Sequence, residues 1–188
     1  QLGLDGARLV LHQGAPAAGR GCETLVRAAV RLDGAHVVFL GDGEPAYVER
    51  LRALARREGV AERVHFLPSV PAERLLAHTA EATVGVSLLE DTCDNHRLAL
   101  PNKVFEYVAA GRPVIVSDLP ELRALVRRHG IGWTADPADA DRLAATLERA
   151  LREAGDADLL ERVRRAAAEL TWAREERGLL ELYEALAR

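Results

Sequence analysis

Residues 100–116 read Leu-Pro-Asn-Lys-Val-Phe-Glu-Tyr-Val-Ala-Ala-Gly-Arg-Pro-Val-Ile-Val, and this stretch predicts a helix that turns directly into a buried strand. Pro101 suits the first turn of a helix, because the N–H that proline lacks would have had no partner there. Residues 102–110 repeat apolar side chains at helical spacing, and Gly111 precedes the β-rich run 113–117. A helix followed so closely by a buried strand is typical of α/β proteins with a parallel sheet.

The same alternation continues along the chain in both directions. Further strands are predicted at 8–13, 35–40, 63–67, 82–88 and, more weakly, 131–134. Further helices are predicted at 21–32, 45–58, 72–79 and 121–128, with two or three more between 137 and 187. Helices between buried-type strands favour right-handed crossovers and a parallel sheet covered on both faces. We therefore predict one α/β domain over residues 1–188, a doubly wound parallel sheet.

Composition and charge exclude several classes of protein. Hydrophobic residues make up 48% and charged residues 29% of the chain, which are ordinary values for a globular protein. The net charge of −4 argues against a broad nucleic-acid-binding face. No apolar run approaches the roughly 18 residues of a membrane span. Cys22 and Cys93 form no metal or redox spacing, so we expect a cytoplasmic protein with free thiols and no metal site.

The basic residues are almost all of one type. Of 25 lysines and arginines, 24 are arginine, and Lys103 is the only lysine. Where this sequence needs a solvated positive charge it uses arginine. A single lysine within residues 100–116 therefore indicates a specific functional role for Lys103.

The helix predicted at 102–110 has two unlike faces. Its apolar face toward the sheet is predicted to comprise Val104, Phe105, Val108 and Ala109. Asn102, Lys103 and Glu106 fall together on the opposite side. A helix N-terminus favours phosphate, Lys103 adds a mobile positive charge, and Glu106 can accept hydrogen bonds from the vicinal hydroxyls of a ribose. The alternative is a solvated pair of Lys103 and Glu106 on the surface.

In open parallel sheets, ligands bind beyond the carboxyl ends of the strands. Residues 14–21, Gly-Ala-Pro-Ala-Ala-Gly-Arg-Gly, follow the first strand and partly match a P-loop. Arg20 and Gly21 replace the lysine and the hydroxyl residue of that pattern, which argues against a P-loop ATPase. The loop still suits a diphosphate, with a tight turn and a solvated Arg20 as the alternative. Residues 41–43, Gly-Asp-Gly, predict a simple turn.

Several stretches of the chain together resemble a known protein family. The stretch Pro101–Val114 looks like the donor-site motif of retaining glycosyltransferases with the GT-B fold, the group 1 or family 4-like enzymes. Other parts that resemble the family are Val38–Gly43, Arg63–Leu67, Gly14 with Gly19–Gly21, and Trp172–Tyr183, which is similar to the closing helix. The resemblance covers nearly the whole chain, but only the C-terminal one of the two Rossmann-like domains in such enzymes.

This resemblance implies a set of binding residues. They are Gly14, Arg20, Leu67, Val70, Asn102, Lys103 and Glu106. Arg20 and Lys103 would hold the donor diphosphate, and the backbone N–H groups of Asn102 and Lys103 would help to bind it. The catalytic role of Arg20 and Lys103 would be to stabilise the diphosphate as the leaving group. Glu106 would bind the ribose, and residues 67–70 would line the base, largely through backbone contacts. The resemblance implies neither a metal nor another cofactor.

The sequence departs from the family's pattern at two positions. Leu98 stands where many relatives have a second glutamate that touches the donor sugar, and Ala15 stands where many have an arginine. The segment Glu90–His96 is either a source of substitute sugar contacts or an irregular polar loop. The identity of the sugar is therefore left open.

The implied function is transfer of a sugar from a nucleoside diphosphate to an acceptor hydroxyl with retention at the anomeric carbon. The chain has no methionine and starts at Gln1, so we expect a piece of a longer protein. The resemblance implies that the missing piece is the N-terminal acceptor domain. Such a piece should bind donor and turn over little, and any peripheral membrane contact would come through the missing domain. The alternatives are a non-catalytic nucleotide-binding or interaction module and a sugar-nucleotide epimerase.

Overall fold

The β-rich segments form one sheet in the computed structural model, which describes residues 3, 4 and 6–187. Its strands are β1 (Arg8–Gln13), β2 (Ala35–Leu40), β3 (Val64–Leu67), β4 (Val84–Ser87), β5 (Val114–Ser117) and β6 (Gly132–Ala135). The strand order is β3-β2-β1-β4-β5-β6, and every neighbouring pair is parallel. The chain therefore winds outward twice from the centre, once through β2 and β3 and once through β4 to β6, which confirms the predicted doubly wound sheet.

Helices connect the strands and cover both faces of the sheet. They are α1 (Cys22–Ala28), α2 (Pro45–Arg57), α3 (Ala72–Thr79), α4 (Asp94–Arg97), α5 (Asn102–Ala109), α6 (Pro120–His129), α7 (Ala140–Glu153), α8 (Ala157–Glu169) and α9 (Trp172–Leu186). Short 3₁₀ turns at Ala29–Arg31 and Ala61–Arg63 precede β2 and β3. Within the described part of the chain, no helix combines the length and apolarity that crossing a membrane requires.

Two apolar clusters lie on opposite faces of the sheet. Side chains of α1, α2 and α7 pack on one face, and side chains of α5, α6 and α8 pack on the other. Neighbouring strand residues alternate between them: Val37 and Phe39 belong to the first cluster, and Val38 and Leu40 to the second. Because both faces are covered, these strands read as unbroken apolar runs in the sequence.

Helix α5 buries a different face from the predicted one. Val104 and Val108 are buried as expected, but the third buried residue is Tyr107, whereas Phe105 is half-buried and Ala109 is exposed. The reason lies in the strand beneath the helix. The Tyr107 ring occupies the space over Gly85, where an added Cβ would lie 2.2 Å from the ring.

The Tyr107 hydroxyl joins α5 to the central strands. It accepts a hydrogen bond from the backbone N–H of Gln13 at 2.8 Å, and it lies 3.0 Å from the carbonyl oxygen of Leu11 and 3.1 Å from that of Val86. Tyr107 is fully buried, so these partners are not replaced by water. Burial also raises the pKa of the phenol far above its ordinary value, which keeps the hydroxyl protonated as a donor.

We expect Tyr107→Phe to lower the free energy of unfolding by about 1–3 kcal/mol, since it leaves the N–H of Gln13 buried without a partner. Urea denaturation measures this change. Tyr183→Phe is the matched control, because Tyr183 is 64% exposed and its replacement should stay within about 0.5 kcal/mol. Equal stabilities of the Tyr107 variant and its parent would contradict the bridging role of the hydroxyl.

Candidate functional site

A cavity of about 580 Å³ opens at the carboxyl ends of β1, β2 and β3, where α5 approaches the sheet. The sequence-predicted residues in its wall are Gly14, Arg20, Val70, Asn102, Lys103 and Glu106. Leu67 is not among the lining residues. Its side chain packs against the second core cluster, and its carbonyl oxygen accepts a hydrogen bond from the N–H of Gly41 at 3.0 Å.

The floor of the cavity depends on a close approach of two loops. An added Cβ on Gly41 would lie 2.7 Å from the backbone carbonyl carbon of Gly14, and the φ of Gly41 is +144°. The N–H of Gly14 donates to the carbonyl oxygen of Leu40 at 2.8 Å. A residue without a side chain is therefore needed at position 41 to bring the loop after β1 against the loop after β2.

Lys103 lies in the first turn of α5 and reaches over the first loop. An added Cβ on Gly14 would lie 3.8 Å from its Nζ atom. Burial, and after it the positive charge of Arg20, lower the pKa of Lys103 to about 8, although Cys22 and Glu106 act in the opposite direction. Among the ion pairs of the described residues, none involves Lys103 or Arg20. The cavity wall also holds the carboxylates of Asp42 and Glu106, so the part of the wall that suits an anionic ligand is the one with Lys103 and Arg20.

Glu106 lies one turn further along α5 and is held from below. Gln13, the last residue of β1, donates a hydrogen bond from Nε2 to Oε2 of Glu106. The Oε1 atom of Gln13 accepts a hydrogen bond from the hydroxyl of Thr79 at 2.6 Å. Sequence reasoning missed Gln13, although a polar residue at the carboxyl end of an apolar strand was an available signal.

The far wall of the cavity is closed by a contact between two loops. The N–H of Ser69 donates to Oδ1 of Asp42 at 3.3 Å, and the Ser69 hydroxyl also donates to the Asp42 carboxylate. Both residues line the cavity beside Val70. Residues 41–43 connect β2 to α2 through a bend at Gly41. They also contribute Asp42 to the wall, which the pattern did not indicate.

The segment after β4 packs on the first loop. The N–H of Glu90 donates to the carbonyl oxygen of Gly19 at 2.9 Å, and the ring of His96 lies 3.2 Å from the position of an added Cβ on Gly19. The Nδ1 atom of His96 is 2.9 Å from the carbonyl oxygen of Glu90. The segment is irregular at residues 90–93 and then forms the short helix α4, so only its second half differs from the irregular loop that was one of the two expectations.

A second cavity, of about 1050 Å³, lies at the carboxyl ends of β4, β5 and β6. Its charged wall residues are mostly acidic: Glu23, Glu90, Asp91, Asp118 and Asp136 oppose only Arg27 and Arg142. A doubly negative phosphate group would be repelled by such a wall. The smaller cavity, which holds Arg20 and Lys103, therefore suits an anion better than the larger one.

The single lysine makes the protonation state of the site measurable. With lysine-specific isotope labelling, NMR should show one side-chain signal, and we expect its midpoint near pH 8 in the free protein. Because an anion binds the charged form, affinity should be highest below pH 8 and fall as the pH rises through it, and bound diphosphate should raise the pKa. A midpoint near the ordinary value of 10.5 would contradict the burial of Lys103.

Sequence comparison relates the chain to enzymes that transfer sugars. Residues 7–153 match the model of the family described as Glycosyl transferases group 1. A D-inositol 3-phosphate glycosyltransferase from Nocardia farcinica is 34% identical over 183 residues, covering 87% of this chain and 37% of the relative. A GDP-mannose-dependent alpha-(1-6)-phosphatidylinositol monomannoside mannosyltransferase from Mycobacterium tuberculosis is 35% identical over 130 residues, covering 66% of this chain and 33% of the relative.

The fold has counterparts among solved structures. HepE from Anabaena, solved in complex with UDP, superposes with a TM-score of 0.86 at 18% identity and covers 98% of this chain and 50% of that one. This likeness is one of fold, that of one half of a GT-B enzyme. The chain spans about a third of the length of the two curated relatives and half of HepE. The family match does not favour a non-catalytic module or an epimerase.

Proposed function

The chain belongs to the group 1 glycosyl transferases, and on that premise we propose that it is the half of a retaining enzyme that binds a nucleoside-diphosphate sugar. One observation carries the proposal. Arg20, Lys103 and Glu106 come from two distant parts of the sequence and line the same cavity at the carboxyl edge of the sheet. Two cations and a carboxylate at that edge match the diphosphate and the ribose of such a donor.

The diphosphate would bind between the first loop and the start of α5. Helix α5 begins after Pro101 without a side-chain cap, and its first residues, Asn102 and Lys103, line the cavity. The N–H groups of this first turn therefore have no capping side chain to bind. The Nζ atom of Lys103 reaches over Gly14, and Arg20 lines the same wall. Backbone dipoles and two cations together favour a group with two or three negative charges.

The same groups supply the chemistry. In the proposed reaction the bond between the anomeric carbon and the diphosphate oxygen breaks, and its electron pair leaves with the diphosphate. An acceptor hydroxyl forms the new bond on the same face and loses its proton to the departing phosphate. Arg20 and Lys103 stabilise the negative charge that develops on the leaving group. We propose that this needs neither a metal nor another cofactor.

The acceptor would bind to a part of the enzyme outside this chain. Helix α9 supports that proposal, because none of its described residues is buried. At 100° per residue one face of α9 carries Trp172, Leu179, Tyr183 and Leu186, which are 72%, 46%, 64% and 76% exposed. An exposed apolar stripe of this kind marks a surface that packs against a partner. We propose that the partner is the N-terminal domain of the same enzyme, and that the chain alone turns over little.

Calorimetric titration of the chain with UDP, GDP, ADP and TDP tests the donor site. We expect one of the four to bind more tightly than about millimolar, which corresponds to roughly −4 kcal/mol. The matching nucleoside without phosphates is the control and should bind at least about tenfold more weakly. If none of the diphosphates binds a folded chain in this range, the proposed donor site is wrong.

With the full-length protein and the sugar nucleotide, NMR of the product then establishes whether the anomeric configuration is retained.

A further inference from the structure

A chain of hydrogen bonds runs beneath the cavity from α3 to α5. The hydroxyl of Thr79 lies 2.6 Å from Oε1 of Gln13, and Nε2 of Gln13 donates to Oε2 of Glu106. Thr79 is fully buried and Gln13 is 3% exposed. These residues are distant in sequence, and the fold places them in one polar line within an apolar layer.

The orientation of the Gln13 amide in this line is determined at the Glu106 end. An ionised carboxylate only accepts hydrogen bonds, so the amide nitrogen of Gln13 must face Glu106. Its amide oxygen then faces the hydroxyl of Thr79, whose single proton is shared between Oε1 of Gln13 at 2.6 Å and the carbonyl oxygen of Leu75 at 2.8 Å. The reversed amide would set the Oε1 atom of Gln13 against the carboxylate, with two acceptors facing each other in a buried place. The amide of Gln13 therefore has one favourable orientation while Glu106 is ionised.

Gln13 also holds α5 through its backbone. Its N–H donates to the hydroxyl of Tyr107, the residue next to Glu106. One residue of β1 thus positions two consecutive residues of α5, one through the main chain and one through the side chain. Thr79 closes the line on α3, which packs against α5.

Without that hydrogen bond, Glu106 has a nearby alternative partner. Lys103 lies three residues before it on the same helix, a spacing at which a carboxylate and an ammonium group can pair. The charge of Glu106 acts on Lys103, yet the two form no ion pair in the described structure. The hydrogen bond from Gln13 holds Oε2 of Glu106, which would otherwise be free to turn toward Lys103. Pairing would remove both groups from a ligand.

We propose that Gln13 is a positioning residue that keeps the Glu106 carboxylate directed at the sugar of the nucleoside and apart from Lys103, and so makes the site select ribose over 2′-deoxyribose. The inference rests on the proposed function, in which Glu106 meets the ribose hydroxyls. The 2′-hydroxyl gains a charge-assisted hydrogen bond only if the carboxylate is held in place for it. If the carboxylate were paired with Lys103, the site would bind ribose and 2′-deoxyribose ligands with similar affinity.

The first test compares ribose and deoxyribose ligands in Gln13→Met, which keeps the length of the side chain without the amide. The probes are UDP and GDP with their 2′-deoxy forms. For the unaltered chain we expect the 2′-deoxy form of the better-binding ligand to have a Kd about tenfold higher, and for the variant we expect a ratio near one. The lysine NMR midpoint should also rise in the variant, because Lys103 gains the partner from which Gln13 separates it. A purely structural role would not move that midpoint.

Two further variants keep the proposal falsifiable if Gln13→Met does not fold. Gln13→Glu places two carboxylates at hydrogen-bond distance, and such a pair shares one proton. Its preference for ribose should be lost at pH 8 and return as the pH falls to about 5, where that proton restores a donor. Thr79→Val removes the other end of the line and should lower the ratio of the two Kd values about twofold to fivefold.

The matched control is Thr83→Val. Its hydroxyl accepts a hydrogen bond from the N–H of Leu9 at 2.9 Å, at the opposite end of β1, so the preference for ribose should be unchanged. A folded Gln13→Met that keeps the ratio of the unaltered chain overturns the positioning role while the donor site stands. So does a Gln13→Glu that discriminates equally at both pH values. If the unaltered chain binds neither sugar form, the proposed function fails as well.

Discussion

Lys103→Met is expected to weaken binding of the nucleoside diphosphate about a hundredfold, or about 2.8 kcal/mol. The substitution keeps an unbranched side chain over Gly14 but removes the ammonium group, which has no ion-pair partner among the described residues and so is available to the ligand. Loss of one preorganised donor at a developing negative charge typically costs about 10²–10³ in rate. The kcat of the full-length enzyme should therefore fall by a similar factor. Calorimetry on the chain and turnover by the full-length enzyme measure the two effects.

Lys103→Arg separates charge from shape at the same position. The planar guanidinium is bulkier than an ammonium group, and Lys103 is half-buried beside Arg20, so we expect a loss of at least about tenfold in affinity. Arg149→Lys is the control, because Arg149 is an exposed member of an i,i+4 pair with Glu153. It should change nothing. If Lys103→Arg binds as well as its parent, Lys103 is a surface charge, and Arg20 with the start of α5 is left to bind the phosphates.

Gly41→Ala is expected to lower the free energy of unfolding by about 2–4 kcal/mol and to abolish measurable donor binding. The added Cβ would lie 2.7 Å from the backbone of Gly14 and 3.1 Å from the N atom of Ala15, and neither can move as a side chain would. The φ of +144° adds backbone strain. Urea denaturation and calorimetry on the same sample measure both losses.

The control for Gly41 is another glycine-to-alanine substitution in open space. An added Cβ on Gly178 would meet nothing within 4 Å, and the residue lies inside α9. Gly178→Ala should raise stability by about 0.5–1 kcal/mol, since alanine favours a helix more than glycine does. If Gly41→Ala behaves like Gly178→Ala, the close approach of the two loops is not required for the fold.

The sheet and the helix layers could be predicted from the sequence, because the hydrophobic patterns that indicate strands and helices are local. Apolar runs of strand length alternated with helical patterns, and parallel α/β sheets are the common solution for that alternation. Strand β1 and strand β2 were predicted with their observed bounds, Arg8–Gln13 and Ala35–Leu40. The four later strands are shorter or shifted by one to two residues.

The face of α5 was predicted less well, for a physical reason. Angles of 100° per residue place apolar side chains around a helix, but they do not show what lies beneath it. Phe105 is more apolar than Tyr107, yet only Tyr107 faces Gly85 and reaches the polar atoms of β1. A glycine in a neighbouring strand decides which aromatic residue is buried.

The candidate site shows the same limit. Lys103, Glu106 and Arg20 were found because they lie in motifs that can be read along the chain. Gln13 contacts a residue 93 positions away, and Asp42 one that is 27 away, so neither role can be read from a local pattern. Leu67 was expected to line the base largely through its backbone, and its half-buried side chain packs against the second core cluster, which leaves that backbone contact as a prediction. Cavity residues can be predicted from a local pattern only when one loop or helix supplies them.

The most direct test of the donor site is a crystal structure of the chain with the nucleoside diphosphate that binds it best. We expect a phosphate oxygen within about 2.7–3.2 Å of the Nζ atom of Lys103 and of a backbone N–H at the start of α5. The ribose hydroxyls should contact Glu106. Phosphates found instead in the larger cavity beside Glu90 and Asp118, with the cavity over Gly14 unchanged by the ligand, would contradict the account.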